Sequence, residues 1–159
     1  MSIKLVENTG YEYDPIYRFC GWEHAEDIRP VKPCGAETIG EFYLACLKAW
    51  NTETCSERFR PEWSAANPSI GQCTITAALV HEFFGGEVYS VPLDGGGRHS
   101  FNYINGVFVD LASEQFGRDA LPDFSLAEPA DPASLLSGGG KAERCALLRE
   151  RLLSVLAKH

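Results

Sequence analysis

The sequence predicts an α+β domain in which helices pack on a small antiparallel sheet. Apolar residues recur with helical spacing between residues 37 and 50, and again between 141 and 158. Between these segments, the Asn105-Gly106 pair separates two runs of β-branched and aromatic residues, which is the strongest short signal for a β-hairpin. Helices on either side of an antiparallel meander are typical of the α+β class.

The composition is that of one globular unit. The chain has 159 residues, and 45% of them are hydrophobic, which is enough to bury a core without disulfides or metal. We expect a single domain over residues 1–159, with an N-terminal extension at 1–36 and the core at 37–159. The net charge of −8 disfavours nucleic acid and anionic membranes as partners, because both require clustered basic residues. No apolar run has transmembrane length and no signal peptide is evident, so we expect a cytoplasmic location.

The N-terminal 36 residues mix aromatic residues with proline and glycine, and predict a short strand or two and loops packed on the main body. The six cysteines of the chain form no CxxC pair, and five of them are expected to be free thiols that pack as small apolar residues. Cys20, His24 and Cys34 lack a fourth ligand at a zinc-site spacing. We therefore expect no metal and no cofactor.

Two helices are predicted in the first half of the core. The first covers residues 37–50, and its apolar stripe includes Cys46. A polar connection follows over 51–66, with Trp63 as its one large anchor. The second helix covers 73–84 and ends at Gly85-Gly86, because glycine accepts the left-handed conformation found at helix ends.

Three strands are predicted in the second half, at residues 87–91, 98–104 and 107–112. Residues 122–140 are rich in Pro, Gly, Ser and Ala and predict a surface loop. The chain closes with a helix over 141–158, whose apolar stripe is predicted to comprise Cys145, Leu148, Leu152 and Val155.

The hairpin turn places a histidine beside an aspartate. A two-residue Asn-Gly turn pairs Ile104 with Val107, and by extension His99 with Ala112. His99 and Asp110 then become diagonal neighbours on one face of the hairpin, with their Cβ atoms about 7 Å apart. An aspartate that accepts a hydrogen bond from an imidazole N–H fixes the tautomer and leaves the other nitrogen to act as a base.

The second helix is predicted to begin at a cysteine. A thiol in the first helical turn lies near the positive end of the helix dipole and near unpaired backbone N–H groups, so Cys73 is a candidate nucleophile. The same N–H groups can stabilise an oxyanion, with the Gln72 side-chain amide as a further donor and Gly71 allowing close approach of a substrate. Trp63 and Gln115 are candidate residues of the substrate cleft.

The motif Asn-Pro-Ser-Ile-Gly-Gln-Cys and a later His and Asp-Leu-Ala-Ser-Glu-Gln-Phe element resemble the YunG-like family of small bacterial proteins. The resemblance covers about residues 39–155 and rests on segments 67–80, 84–88, 99–116 and 143–152. The family's order of a cysteine on a helix, then histidine and aspartate on strands, is similar to the NlpC-type and papain-like cysteine peptidase fold. The resemblance implies Cys73 as nucleophile, His99 as base and Asp110 as its orienting partner. One departure is Ser100-Phe101 before Asn102, where the family commonly has Tyr-Trp.

Three functions remain open from the sequence. The first is a cysteine hydrolase or acyltransferase that acts on an amide, peptide or thioester bond of a peptide-like or acylated small-molecule substrate. The second is a non-catalytic module that keeps a papain-like fold and binds a peptide or protein. The third is a zinc site formed by Cys73, His99 and Asp110. A lowered thiol pKa favours the first function, an ordinary one the second, and bound zinc the third; the oligomeric state stays open.

Overall fold

The fold is an α+β arrangement of helices on a small four-stranded antiparallel sheet, described by a computed structural model over residues 19–93, 97–113 and 124–158. Gln115 and the first 18 residues lie outside these ranges. The helices within them are α1 (Ile39–Ala49), α2 (Cys73–Phe84) and α3 (Lys141–Leu156). The strands are β1 (Glu87–Pro92), β2 (Arg98–Ile104), β3 (Val107–Val109) and β4 (Glu128–Ala130), in the sheet order β3-β2-β1-β4.

Helix α1 confirms the predicted amphipathic helix and is capped at its start. The Thr38 hydroxyl accepts the backbone N–H of Glu41 at 3.2 Å, and the Glu41 carboxylate accepts the backbone N–H of Glu37 at 3.0 Å. These two bonds satisfy N–H groups that have no partner inside the helix. The predicted stripe faces the core, and Cys46 within it is fully buried, as expected of a structural thiol.

The core lies between the three helices and one face of the sheet. Helices α1 and α2 both pack against α3, and α2 also packs against β2. The Phe42 ring on α1 meets the Phe83 and Phe84 rings at the end of α2, with centroids 6.1 and 5.2 Å away. No helix in the described ranges is long and apolar enough to cross a membrane.

Helix α3 confirms the predicted closing helix, with one change in the buried stripe. Leu156 is buried where Val155 was predicted, and Val155 is only partly buried. Leu156 follows Leu152 by four residues and so returns to the same helix face, whereas Val155 is rotated away from it by one residue.

The hairpin has the predicted register, but its second strand is shorter than predicted. Ile104 pairs with Val107 and Asn102 with Val109, as the Asn-Gly turn requires. The strand was predicted to reach residue 112, yet its pairing with β2 stops at Val109. The reason is a competing partner: the Asp110 N–H donates to the Cys20 carbonyl at 2.8 Å, so Asp110 pairs with the N-terminal segment.

Strand β4 corrects the prediction of an uninterrupted surface loop over residues 122–140. Glu128–Ala130 pairs antiparallel with β1, with Val88 opposite Ala130 and Ser90 opposite Glu128. The strand is only three residues long and contains Pro129, which lacks an N–H and is tolerated because β4 is an edge strand. Because β4 is short and contains a proline, its sequence does not show the pattern typical of a strand.

The described part of the N-terminal segment belongs to the same core as the helices. Residues 19–36 contain a short 3₁₀ helix, Trp22–His24, and the single bridge residue Cys20. Phe19, Ala25 and Ile28 are almost fully buried. This segment therefore contributes apolar packing to the domain.

Two glycines of the sheet region give a matched test of backbone constraint. Gly86 has φ of 72°, and a Cβ there would lie 2.6 Å from the Tyr103 carbonyl oxygen, whereas Gly106 has φ of 82° with open space around it. We expect Gly86→Ala to lower the free energy of unfolding by about 2 to 4 kcal/mol, since it adds a backbone collision to the conformational strain. Gly106→Ala should cost about 1 kcal/mol from strain alone.

Urea denaturation of both variants measures this difference. Equal losses of unfolding free energy at the two positions would contradict the close approach of Gly86 to β2.

Candidate active site

Cys73 is the first residue of α2, as the sequence predicts, and its side chain is partly exposed. Gln72 is the N-cap residue, but its side chain makes no capping hydrogen bond, and the first turn contains no acidic residue. The first backbone N–H groups of a helix have no acceptor within it. The thiol therefore lies at the positive end of α2 with no carboxylate of that turn beside it.

His99 and Asp110 form a buried pair at the end of the hairpin. Their side chains are 0% and 1% exposed, and Nε2 of the ring lies 2.5 Å from Oδ2 of the carboxylate. The second carboxylate oxygen accepts the N–H of Ala112 at 3.2 Å. The proximity predicted from the Asn-Gly turn is thus present, with Nε2 engaged by Asp110 and Nδ1 left for another partner.

That other partner is the Cys73 thiol, which hydrogen-bonds to the His99 side chain and to the Ser100 backbone N–H. Strand β3 ends at Val109, which pairs with Asn102 of β2. It therefore does not extend far enough to pair with Ser100. The structure therefore brings Cys73, His99 and Asp110 together in that order.

The electrostatics of this chain favour the charged forms of both thiol and imidazole. Burial raises the pKa of Cys73, but the hydrogen bond and positive charge of His99, together with hydrogen bonds from the Ser100 N–H and the Thr74 side chain, lower it by more, to about 7. Burial lowers the pKa of His99, whereas the Asp110 carboxylate and then the Cys73 thiol raise it, to about 10. Between these two values the site holds a thiolate beside an imidazolium.

The other five cysteines, all within the described residues, have raised pKa values. Burial raises the pKa of Cys20 to about 11, with the Asp110 carboxylate adding to the effect, and burial raises that of Cys145 to about 11 as well. Burial also raises the pKa of Cys34, Cys46 and Cys55. Cys20 is informative because it lies beside the Asp110 carboxylate, whose negative charge favours the neutral thiol.

The Gln72 side chain is not exposed, as an oxyanion donor would have to be. Its side chain is fully buried, and its amide nitrogen donates to the Asn51 carbonyl at 3.1 Å. Within the described ranges, the amide oxygen has no hydrogen-bond partner. The side chain thus ties the start of α2 to the loop after α1, and the N–H groups of the first turn are the better-placed donors for an oxyanion.

Gly71 is required by packing as well as by backbone conformation. Its φ is 71°, and a Cβ there would collide with the Cys55 sulfur. The space expected to admit a substrate is therefore filled by the 55–59 segment, whose Ser56 N–H also donates to the Gly71 carbonyl at 3.0 Å.

Trp63 supports the loop that leads to Cys73. Its indole N–H donates to the Pro68 carbonyl at 2.9 Å, and its side chain is partly buried. Gln115, the other predicted cleft residue, lies outside the described residues.

Two features of the site were not foreseen from the sequence. Cys20 accepts the Asp110 N–H through its carbonyl, and its own N–H donates to the Ser113 hydroxyl at 3.0 Å. The second feature is the Ser100 N–H at the thiol. The next residue, Phe101, is buried against the His99 ring with centroids 5.9 Å apart. The Asn102 side-chain amide donates to the Ala77 carbonyl of α2 at 3.0 Å.

The fold and site define a class of α+β protein with a cysteine at a helix start and a buried His-Asp pair on an adjacent sheet. Within the described residues, no group of three or more His, Cys, Asp or Glu side chains is arranged to hold a metal ion. The model of the YunG protein family matches residues 38–157, and the chain belongs to that family.

One curated relative is the Bacillus subtilis (strain 168) protein described as "Uncharacterized protein YunG". It is 36% identical over 69 residues, which cover 43% of this chain and 55% of the relative. The chain therefore spans about half the length of the relative it matches. No solved structure matches the chain.

The coupling between thiol and imidazole predicts a distinct reactivity for Cys73. We expect its alkylation by iodoacetamide to be half-maximal near pH 7. His99→Gln should move that midpoint toward the ordinary thiol value of about 8.5, since the lowering of the pKa depends on His99. Peptide mass spectrometry of the alkylated protein measures both.

Cys20 serves as the internal control in the same samples, because its midpoint should stay near pH 11. An unchanged Cys73 midpoint in His99→Gln would contradict the coupling.

Proposed function

We propose that this protein is a cysteine hydrolase or acyltransferase that cleaves an amide, peptide or thioester bond through Cys73, His99 and Asp110. The observation that supports the proposal is the lowered pKa of Cys73, about 7, beside a histidine whose pKa is raised to about 10. Such a pair supplies a nucleophile and a proton donor in the same pH range. A purely binding module has no need of either property.

In the first half of the proposed reaction, the Cys73 thiolate attacks the substrate carbonyl carbon and forms a C–S bond. The carbonyl oxygen becomes an oxyanion, which the backbone N–H groups of the first turn of α2 stabilise. The His99 imidazolium then donates its proton to the leaving nitrogen or sulfur as the original acyl bond breaks. The products of this half are a Cys73 thioester and the released amine or thiol.

In the second half, neutral His99 accepts a proton from water as the water oxygen attacks the thioester. The C–S bond breaks, the acid leaves and Cys73 returns to the thiolate. An alcohol, amine or thiol in place of water completes an acyl transfer by the same steps. The choice between hydrolysis and transfer depends on which acceptor reaches the thioester.

Asp110 keeps the imidazole in one orientation throughout both halves. Its carboxylate accepts a hydrogen bond from the Nε2–H group, which directs Nδ1 toward the thiol. The negative charge also favours the imidazolium over the neutral ring.

The proposal extends to fold and location. The chain order of a helix that begins with the cysteine, followed by strands that lead to the histidine and aspartate, supports a papain-like or NlpC-type arrangement. The six cysteines are all free thiols, which supports a cytoplasmic location, where thiols stay reduced. The proposed substrate is peptide-like or an acylated small molecule.

Acylation by p-nitrophenyl acetate tests the proposal without knowledge of the natural substrate. We expect a burst of one nitrophenolate per chain and one acetyl group on Cys73 by mass spectrometry, at a rate that rises through pH 7 as the thiolate forms. In His99→Gln, acylation should shift to the higher pH at which the unassisted thiol ionises, and the acetylated protein formed there should persist, because the base for its hydrolysis is lost.

Cys20→Ser is the matched control, since the hydrogen bond between Cys20 and Asp110 joins their backbones and survives the change, and this variant should acylate like the parent chain. The hydrolase proposal fails if Cys73 acquires no acetyl group.

A further inference from the structure

A groove lies between the first turn of α3 and the 3₁₀ helix Glu57–Glu62. Its volume is about 430 Å³, and Arg60 and Arg144 both line it. The same two arginines border a second hollow of about 370 Å³. Two guanidinium groups thus share one continuous concave surface.

Both arginines are held by neighbouring backbone carbonyls. Arg60 Nε donates to the Cys55 carbonyl at 3.2 Å, and Arg144 donates through one terminal nitrogen to the Thr54 carbonyl at 3.1 Å. Anchoring to adjacent peptide groups brings the two positive charges close together. Burial lowers the pKa of Arg144, and the Arg60 charge acts in the same direction.

These charges are not neutralised by an ion pair. Glu57 and Glu143 also line the groove, but among the described residues no carboxylate oxygen lies within 4.0 Å of either guanidinium group. A guanidinium has five N–H donors in a planar fork, and the bond to the carbonyl uses one of them. Each arginine therefore retains donors suited to a bidentate oxyanion.

The loop that holds the arginines is also the loop that supports the thiol. The Cys55 carbonyl accepts from Arg60, while the Cys55 sulfur packs against Gly71, two residues before Cys73. The Ser56 N–H donates to the Gly71 carbonyl at 3.0 Å. The Arg144 charge also interacts with the Cys73 thiol.

We propose that Arg60 and Arg144 bind an oxyanion group, a carboxylate or a phosphate, of a small molecule that docks beside Cys73. In the context of the proposed function, this group belongs to the substrate and makes the enzyme selective for acidic acyl compounds. The arginine pair acts as a positioning site, because neither guanidinium takes part in bond making at the thiol.

The ratio of two alkylation rates at Cys73 tests the proposal. Iodoacetate carries a carboxylate and iodoacetamide does not, and both attack the same thiolate, so the ratio of their rate constants cancels the ionised fraction of the thiol. Arg144→Gln and Arg60→Gln should each lower the iodoacetate-to-iodoacetamide ratio by about three- to ten-fold, since each removes one nearby positive charge.

Two control variants accompany them. Arg144→Lys keeps the charge and should retain most of the ratio. Arg29→Gln removes an exposed arginine that donates to the Glu37 carbonyl, in the segment whose Gly35 packs on Leu156 at the far end of α3, and it should leave the ratio unchanged.

Competition distinguishes the two oxyanions. Inorganic phosphate or succinate should lower the ratio in the parent chain and have little effect in Arg144→Gln, and the more potent of the two identifies the preferred group. The proposal is overturned if Arg60→Gln and Arg144→Gln match Arg29→Gln, or if the anions act equally on the parent chain and Arg144→Gln. Since the ratio does not depend on acylation chemistry, it stands apart from the acetyl-transfer test of the proposed function.

Discussion

The structure around the thiol depends on the buried contact between His99 and Asp110. A carboxylate removed from water is destabilised unless hydrogen bonds and an opposite charge compensate it, and here the ring nitrogen and the Ala112 N–H do so. The contact also sets the direction of the imidazole and makes its positive form favourable. Without this contact, burial would favour the neutral form of the His99 ring. The Cys73 thiol would then lose the positive charge that lowers its pKa.

Several parts of the fold converge to hold this contact in place. The Asn105-Gly106 turn aligns the two strands of the hairpin, and the N-terminal segment holds Asp110 through the Cys20 carbonyl. Helix α2 brings the thiol to the end of the hairpin from the other side, and the Asn51 carbonyl anchors its start through Gln72. Four chain segments therefore meet at the site.

The sequence alone predicted those features of the fold and site that short-range interactions determine. The extent of α2, the register of the hairpin and the juxtaposition of His99 with Asp110 all follow from helical periodicity and turn geometry. It was insufficient where a partner is distant in sequence. The bridge from Cys20 to Asp110 spans about half the chain, and β4 forms only because β1 offers a free edge to a short, proline-containing segment. The roles of Gln72 and Gly71 depend on the loop at 51–59, whose path no local pattern predicts.

The central claim is that a thiolate and an imidazolium coexist at this site, and the ionisation of the His99 ring tests it most directly. Carbon and nitrogen NMR shifts of the ring, assigned by their loss in His99→Gln, report its protonation across pH. The account predicts an imidazolium that persists through the range where Cys73 ionises, near pH 7, and deprotonates only near pH 10. A ring that is neutral above about pH 6.5, the ordinary value for histidine, would contradict it.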